Sequence, residues 1–374
     1  MTTETRPVST ALRHERAAPA DEAHAAPSAL RNGQHDDQEQ PPESLGRRFL
    51  RPRTLVSFGL AIAILVFVFR GLDIEPREVW SQLRNANLPL FVGAVAVYYL
   101  SFVARAFRWR QMLDRVDIDR EHGYPVPPLR GLVQIMILSW FANCVVPARL
   151  GDAYRSYLLK ERAKASFSVS LGTILAERLI DLIILVSVLL GAGLIVFGTH
   201  APARAEQAFL LGVGVVVCGL IGVVALWLLR QRVERLLPPR LLSHFHRLHR
   251  GIFRILSRPS PYALTSVLLW LGDGLRVYLV TWSLGDQISY PAAVMVGLSS
   301  ALVTIIPVTP AGLGVVEGFM IWVLPQVGVA QGNAAAIAFL DRFITYWSLI
   351  LVGLPLYLWV LRRAVAGDDD DGAD

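Results

Sequence analysis

Asn143-Cys-Val-Val-Pro-Ala-Arg-Leu-Gly-Asp-Ala-Tyr-Arg155, then a basic connector, then Leu175-Ala-Glu-Arg-Leu-Ile-Asp181 inside an apolar run, is the stretch around which the chain is organised. Residues 167–197 form a run long enough to cross a bilayer at about 20 residues per span, yet Glu177, Arg178 and Asp181 lie within it. Each would cost about 3 kcal/mol at mid-helix if left alone, so they must pair or face a wet interior. Arg178–Asp181 is an i,i+3 pair and Glu177–Asp181 is i,i+4, which predicts one inward-facing helix surface carrying all three.

The construction recurs. Pro147-Ala-Arg-Leu-Gly151 is echoed by Pro310-Ala-Gly-Leu-Gly314, and Glu177-Arg178 by Asp341-Arg342, both about 163 residues downstream and both ahead of a long apolar run. Two signals in register point to an internal repeat. With 53% hydrophobic residues over 374, the composition is that of a polytopic helical membrane protein. The net charge of +6 resides largely in arginines at the ends of apolar runs, which suits anionic lipid headgroups and the positive-inside rule rather than nucleic acid. Cys144 and Cys218 both lie in apolar segments, so no disulfide framework is expected.

Residues 1–45 read as a disordered cytoplasmic tail. Arg47, Arg48, Arg51 and Arg53 precede a first span at 55–69, and a second at about 88–103 ends at Arg105 and Arg108-Trp-Arg110, an edge that suits an interfacial anchor. The third run, 131–146, has basic flanks on both sides. A full crossing would leave Arg149 to Lys164 outside, against the charge rule, whereas a re-entrant hairpin broken at Pro147 and Gly151 keeps both flanks inside. After the charged span and another at 209–229 comes a connector with arginines from Arg230 to Arg258. Its interleaved apolar residues predict an amphipathic helix on the inner leaflet. A span at 262–284 carries the i,i+3 pair Asp273 and Arg276, and 291–306 leads to a second break formed by Pro307, Pro310, Gly312 and Gly314. Glu317 follows the break, and the last span, 334–361, carries Asp341 and Arg342.

The expected architecture is therefore all-α. It comprises about six full spans plus two broken re-entrant hairpins, arranged as membrane repeats over 46–206 and 207–363 and followed by an acidic disordered tail over 364–374. Three spans per half invert the second repeat, an arrangement that places a substrate site between halves. Both termini are then cytoplasmic, in the plasma membrane.

Arg149 and Arg155 beside the first break can offer planar guanidinium forks to a lipid phosphate. In a competing reading, Arg149, Asp152, Arg155, Glu177, Arg178 and Asp181 form a buried ion network tying the hairpin to its neighbour, with Glu317, Asp341 and Arg342 as the counterpart. No spacing matches a zinc site, a nucleophile elbow or a phosphate loop, so neither metal, cofactor nor catalytic group is expected.

These motifs, Asn143–Arg155, Glu177–Asp181, Pro310–Glu317 and Asp341-Arg342 with Arg108-Trp-Arg110 upstream, resemble the lysylphosphatidylglycerol synthase transmembrane-region (flippase-like) family over roughly residues 50 to 363. The resemblance implies a lipid-flippase-like membrane unit. In the family's best-known members it is joined to a cytoplasmic domain that transfers lysine from its tRNA to phosphatidylglycerol. With no such domain after Arg363, synthase activity is not expected here. Two functions remain open: a translocase for an anionic, aminoacylated or polyprenyl-phosphate lipid, and a membrane enzyme or accessory subunit of glycolipid assembly. Membrane lipids are the expected partners, with a glycosyltransferase or lipid synthase as the expected protein partner and no nucleic acid.

Overall fold

The structure, a computed structural model, describes residues 76–146, 150–198, 203–304 and 309–370. The tail, the first span and the break residues Pro147, Arg149 and Pro307 lie outside the described residues. Among those described, all regular structure is helical.

Helix α1 (Pro76–Arg84) leads to α2 (Leu88–Arg115). Asn87 caps α2 by accepting from the Leu90 N–H, with Pro89 in its first turn. The next two, α3 (Leu129–Val145) and α4 (Gly151–Ala163), form an antiparallel pair. Gly151 at the start of α4 meets Ser139 and Asn143 near the end of α3, while Arg162 at the end of α4 reaches back to Gln134. At 1.5 Å per residue, 17 and 13 residues give about 26 and 20 Å, short of the roughly 30 Å hydrocarbon core, so neither helix crosses alone. The charged span is α5 (Phe167–Phe197), followed by α6 (Ala203–Leu228). The expected boundary between repeats at residue 206 falls in the first turn of α6.

The basic connector folds as α7 (Arg230–Leu236) and α8 (Pro239–Leu256). It does not simply lie on a surface, because α8 packs against α5 through glycine on both sides. A Cβ on Gly172 would stand 2.4 Å from the Leu248 carbonyl, and one on Gly251 2.4 Å from that of Val169, so only glycine permits the approach.

Helix α9 (Ser260–Ser283) runs antiparallel to α2, with the Asn87 N–H donating to the Ser283 carbonyl at 2.7 Å. The second broken pair is α10 (Tyr290–Val303) and α11 (Val315–Val323), of 14 and 9 residues and again too short to cross. The turn Pro310–Gly312 between them contains Ala311 at φ 47, a left-handed conformation that strains a residue bearing a Cβ, and Gly312 at φ 72. Helix α12 (Gln331–Arg342) joins α13 (Ser348–Asp370) through a π-helical turn, Phe343–Trp347, directly after Asp341-Arg342. The helix therefore continues into the segment expected to be a disordered acidic tail.

Among the described residues, four helical stretches are long and apolar enough to span: Leu88–Arg115, Phe167–Phe197, Ser260–Ser283 and Gln331–Arg362. Large apolar side chains such as Ile195 (72% exposed) and Leu351 (65%) face outward, which hydrocarbon accommodates and water does not. The chain is an integral multi-pass membrane protein.

Candidate functional site

The ionisable groups of the apolar helices meet in the interior. Arg108, fully buried on α2, donates to Glu177 Oε1 at 2.7 Å, to Asp181 at 2.6 and 2.9 Å and to Ser266 Oγ at 2.6 Å. Arg155 on α4 completes the cluster from the other side, 2.9 Å from Glu177 Oε2, with its guanidinium 3.9 Å from the centre of the Trp109 ring. Charge-assisted contacts of this length are the condition for keeping carboxylates ionised away from water.

Arg178 does not pair within its own helix. It grips Asp152, in the first turn of α4, through two bonds of 3.0 and 2.6 Å. The expected pairing of Arg178 with Asp181 is therefore corrected: Asp181 is already held by both Arg108 nitrogens, leaving Arg178 to reach across to the hairpin. The expected interfacial anchor at Arg108-Trp-Arg110 is corrected too. Arg108 and Trp109 are at 0% exposure and only Arg110 faces outward.

The second break repeats the scheme. Arg342 on α12 donates to Glu317 Oε1 at 3.0 Å and to the Ala311 carbonyl at 2.9 Å, while Glu317 Oε2 accepts from the Gly314 N–H at 2.8 Å. Asp341 pairs with Arg276 on α9, which also lies 3.6 Å from Asp273. In both halves the acid of the long helix takes an arginine from a preceding span, and the arginine beside it takes a carboxylate from the first turn after the break. Glu177–Arg108 and Arg178–Asp152 thus correspond to Asp341–Arg276 and Arg342–Glu317.

Between these clusters lies a cavity of about 220 Å³. Asn143, Cys144 and Val146 of the first broken pair line it, as do Thr309, Ala311 and Gly312 of the second. Arg178, Asp181, Asp341 and Arg342 reach its wall, and so do Arg105, Asp273 and Arg276. Gly151 backs onto it through Asn143, whose side chain accepts from its N–H at 2.8 Å. Asp152, Arg155, Glu177 and Glu317 stand behind as partners of the lining groups or of one another. Leu182, Leu185, Trp270 and Ala301 make an apolar wall. Sequence reasoning missed Arg105 and Arg108 as interior groups, because arginines at the end of an apolar run carry the same signature as an interfacial belt, and it gave no role to Trp140 inside the next run. Among the described residues no cluster of three or more metal-ligating side chains occurs.

A family profile described as lysylphosphatidylglycerol synthase TM region matches residues 54–353. UPF0104 membrane protein MJ1078 of Methanocaldococcus jannaschii is 31% identical over 224 residues, covering 60% of this chain and 95% of the archaeal protein. Glycosyltransferase AglD of Haloferax volcanii is 25% identical over 340 residues, covering 79% of this chain but 52% of AglD, so the chain spans about half of that protein. Inner membrane protein YbhN of Escherichia coli is 24% identical over 330 residues, 82% of this chain and 91% of YbhN. The chain belongs to the lysylphosphatidylglycerol synthase transmembrane-region family.

Proposed function

We propose that this protein is a lipid translocase, moving an anionic, aminoacylated or polyprenyl-phosphate lipid between the leaflets of the plasma membrane. The observation that carries the reading is the charged cavity flanked by two broken helix pairs. Non-helical backbone at membrane depth is tolerated where it lines such a cavity, and paired breaks in corresponding positions are where secondary transporters place substrate. The two halves are taken as inverted repeats with both termini cytoplasmic, the first break opening inward and the second outward. Arg149, outside the described residues, stands in sequence where the second repeat has Gly312. A guanidinium at one break and none at the matching position of the other suits a site loaded from one leaflet and released to the other.

Purified protein in vesicles containing fluorescent phosphatidylglycerol or polyprenyl-phosphate analogues, read by leaflet-specific quenching, tests this directly. Movement well above that of protein-free vesicles is expected, with Arg149→Ala abolishing it and leaving the fold intact. Parent protein indistinguishable from empty vesicles with every lipid removes the translocase reading.

A second reading, a subunit of glycolipid assembly, draws on the name of AglD and on the half of that protein the chain matches. Copurification of a glycosyltransferase, with no lipid movement by the chain alone, would favour it.

A further inference from the structure

We propose that Arg105 is the group that receives the phosphate oxygens of a ligand in this cavity; the identification of that ligand as a lipid rests on the translocase reading. Four guanidinium groups line the cavity. Arg178 is held by Asp152, Arg342 by Glu317 and the Ala311 carbonyl, and Arg276 by Asp341. Arg105 differs. Its nearest carboxylate oxygen, on Asp273, is 3.8 Å from Nη2, beyond hydrogen-bond reach, and Asp273 is shared with Arg276.

Only 5% of Arg105 is exposed; its buried Nε has no hydrogen-bond partner, a lack it shares with Nε of Arg276, so what sets Arg105 apart is the 3.8 Å to its nearest carboxylate. A buried charged donor left without an acceptor is costly, so the position calls for an acceptor from elsewhere. The orientation of the group is fixed, because its guanidinium lies 4.9 Å from the centre of the Trp140 ring, itself part of the cavity wall. A planar fork held against an aromatic face is the arrangement that recognises two oxygens of a phosphate. The cavity is many times larger than one water requires, and it has room for a phosphate and a small substituent but not for acyl chains. Chains of a lipid would follow the apolar wall at Leu182, Leu185 and Trp270.

The full chain in detergent is titrated calorimetrically with dihexanoyl phosphatidylglycerol below its micelle concentration, with dihexanoylglycerol and with inorganic phosphate. Dihexanoyl phosphatidylglycerol should bind and dihexanoylglycerol should not. Binding should fall at least about tenfold in Arg105→Gln, from the loss of charge-assisted bonds. Arg105→Lys keeps the charge but not the fork, so it too should bind several-fold more weakly. It remains informative if the glutamine variant does not fold. Parent-like binding by either variant overturns the proposal, and so does a parent that binds neither phospholipid nor phosphate. Binding of phosphate as tightly as of the phospholipid, with the same Arg105 dependence, keeps the site and assigns it to a free anion. The vesicle assay stands apart: lipid movement without Arg105-dependent binding removes only this inference, and Arg105-dependent binding without movement removes only the translocase reading.

Discussion

Arg108 and Arg178 are both arginines in apolar helices, but their surroundings set very different values on them. Arg108 is fully buried and touches two carboxylates, whereas the Arg178 side chain retains 32% of its exposure and serves one. Removing one partner of a buried ion pair costs about 3–5 kcal/mol, because the remaining charge cannot be hydrated. Arg108→Ala is therefore expected to lower stability by at least that much, and Arg178→Ala by clearly less, since water can reach Asp152. Thermal unfolding in detergent ranks the two, and equal losses would mean that the Arg108 cluster is hydrated. Glu177, Arg178 and Asp181 were legible in the sequence because charge in an apolar run demands a reason. Their partners were not: Arg108 lies 69 and 73 residues from its carboxylates, and local spacing favoured the i,i+3 pair that the fold rejects.

At the scale of elements, hydropathy located the long helices and the proline-glycine signature located the breaks, since both are local properties of the chain. How α8 sits was not legible. Its alternation of arginine and leucine announces an amphipathic helix, but the surface it covers depends on Gly172 in a different helix. A glycine in mid-helix is a weak signal until its counterpart is known. Gly251→Ala places a methyl carbon 2.4 Å from the Val169 carbonyl, and backbone on both sides leaves little room to give. Overpacking of this kind costs about 1–3 kcal/mol. Arg254 also ties α8 to Asp117, so loosening should begin at the glycine contact rather than release the helix outright. Limited trypsin digestion should cut the variant faster than the parent after Arg247 and Arg250. Unchanged cleavage would show that the α5–α8 contact is not what protects this segment.

Across the whole molecule the interior is balanced: Arg105, Arg108, Arg155, Arg178, Arg276 and Arg342 face Asp152, Glu177, Asp181, Asp273, Glu317 and Asp341, six against six among the described residues. The first half holds four arginines and three acids and the second two arginines and three acids, so balance is reached only across the pair, where Arg105 of α2 faces Asp273 of α9 at 3.8 Å. A neutral interior can be assembled inside a bilayer at a cost that one unpaired charge would greatly exceed. Opposite orientation of two such halves predicts that equivalent connectors face opposite sides of the membrane. Glu161, at the end of α4, and Gln326, beyond α11, are exposed and lie at corresponding places after the two breaks. Single cysteines there, in a background with Cys144→Ala and Cys218→Ser, can be labelled in intact cells with a thiol reagent that does not cross membranes. The position 326 cysteine should react directly, and the position 161 cysteine only after the cells are opened, since the positive-inside rule assigns the arginine- and lysine-rich connector around α4 to the inner side. Reaction of both from outside, or of neither, would show that the halves are parallel and that the breaks do not alternate in access.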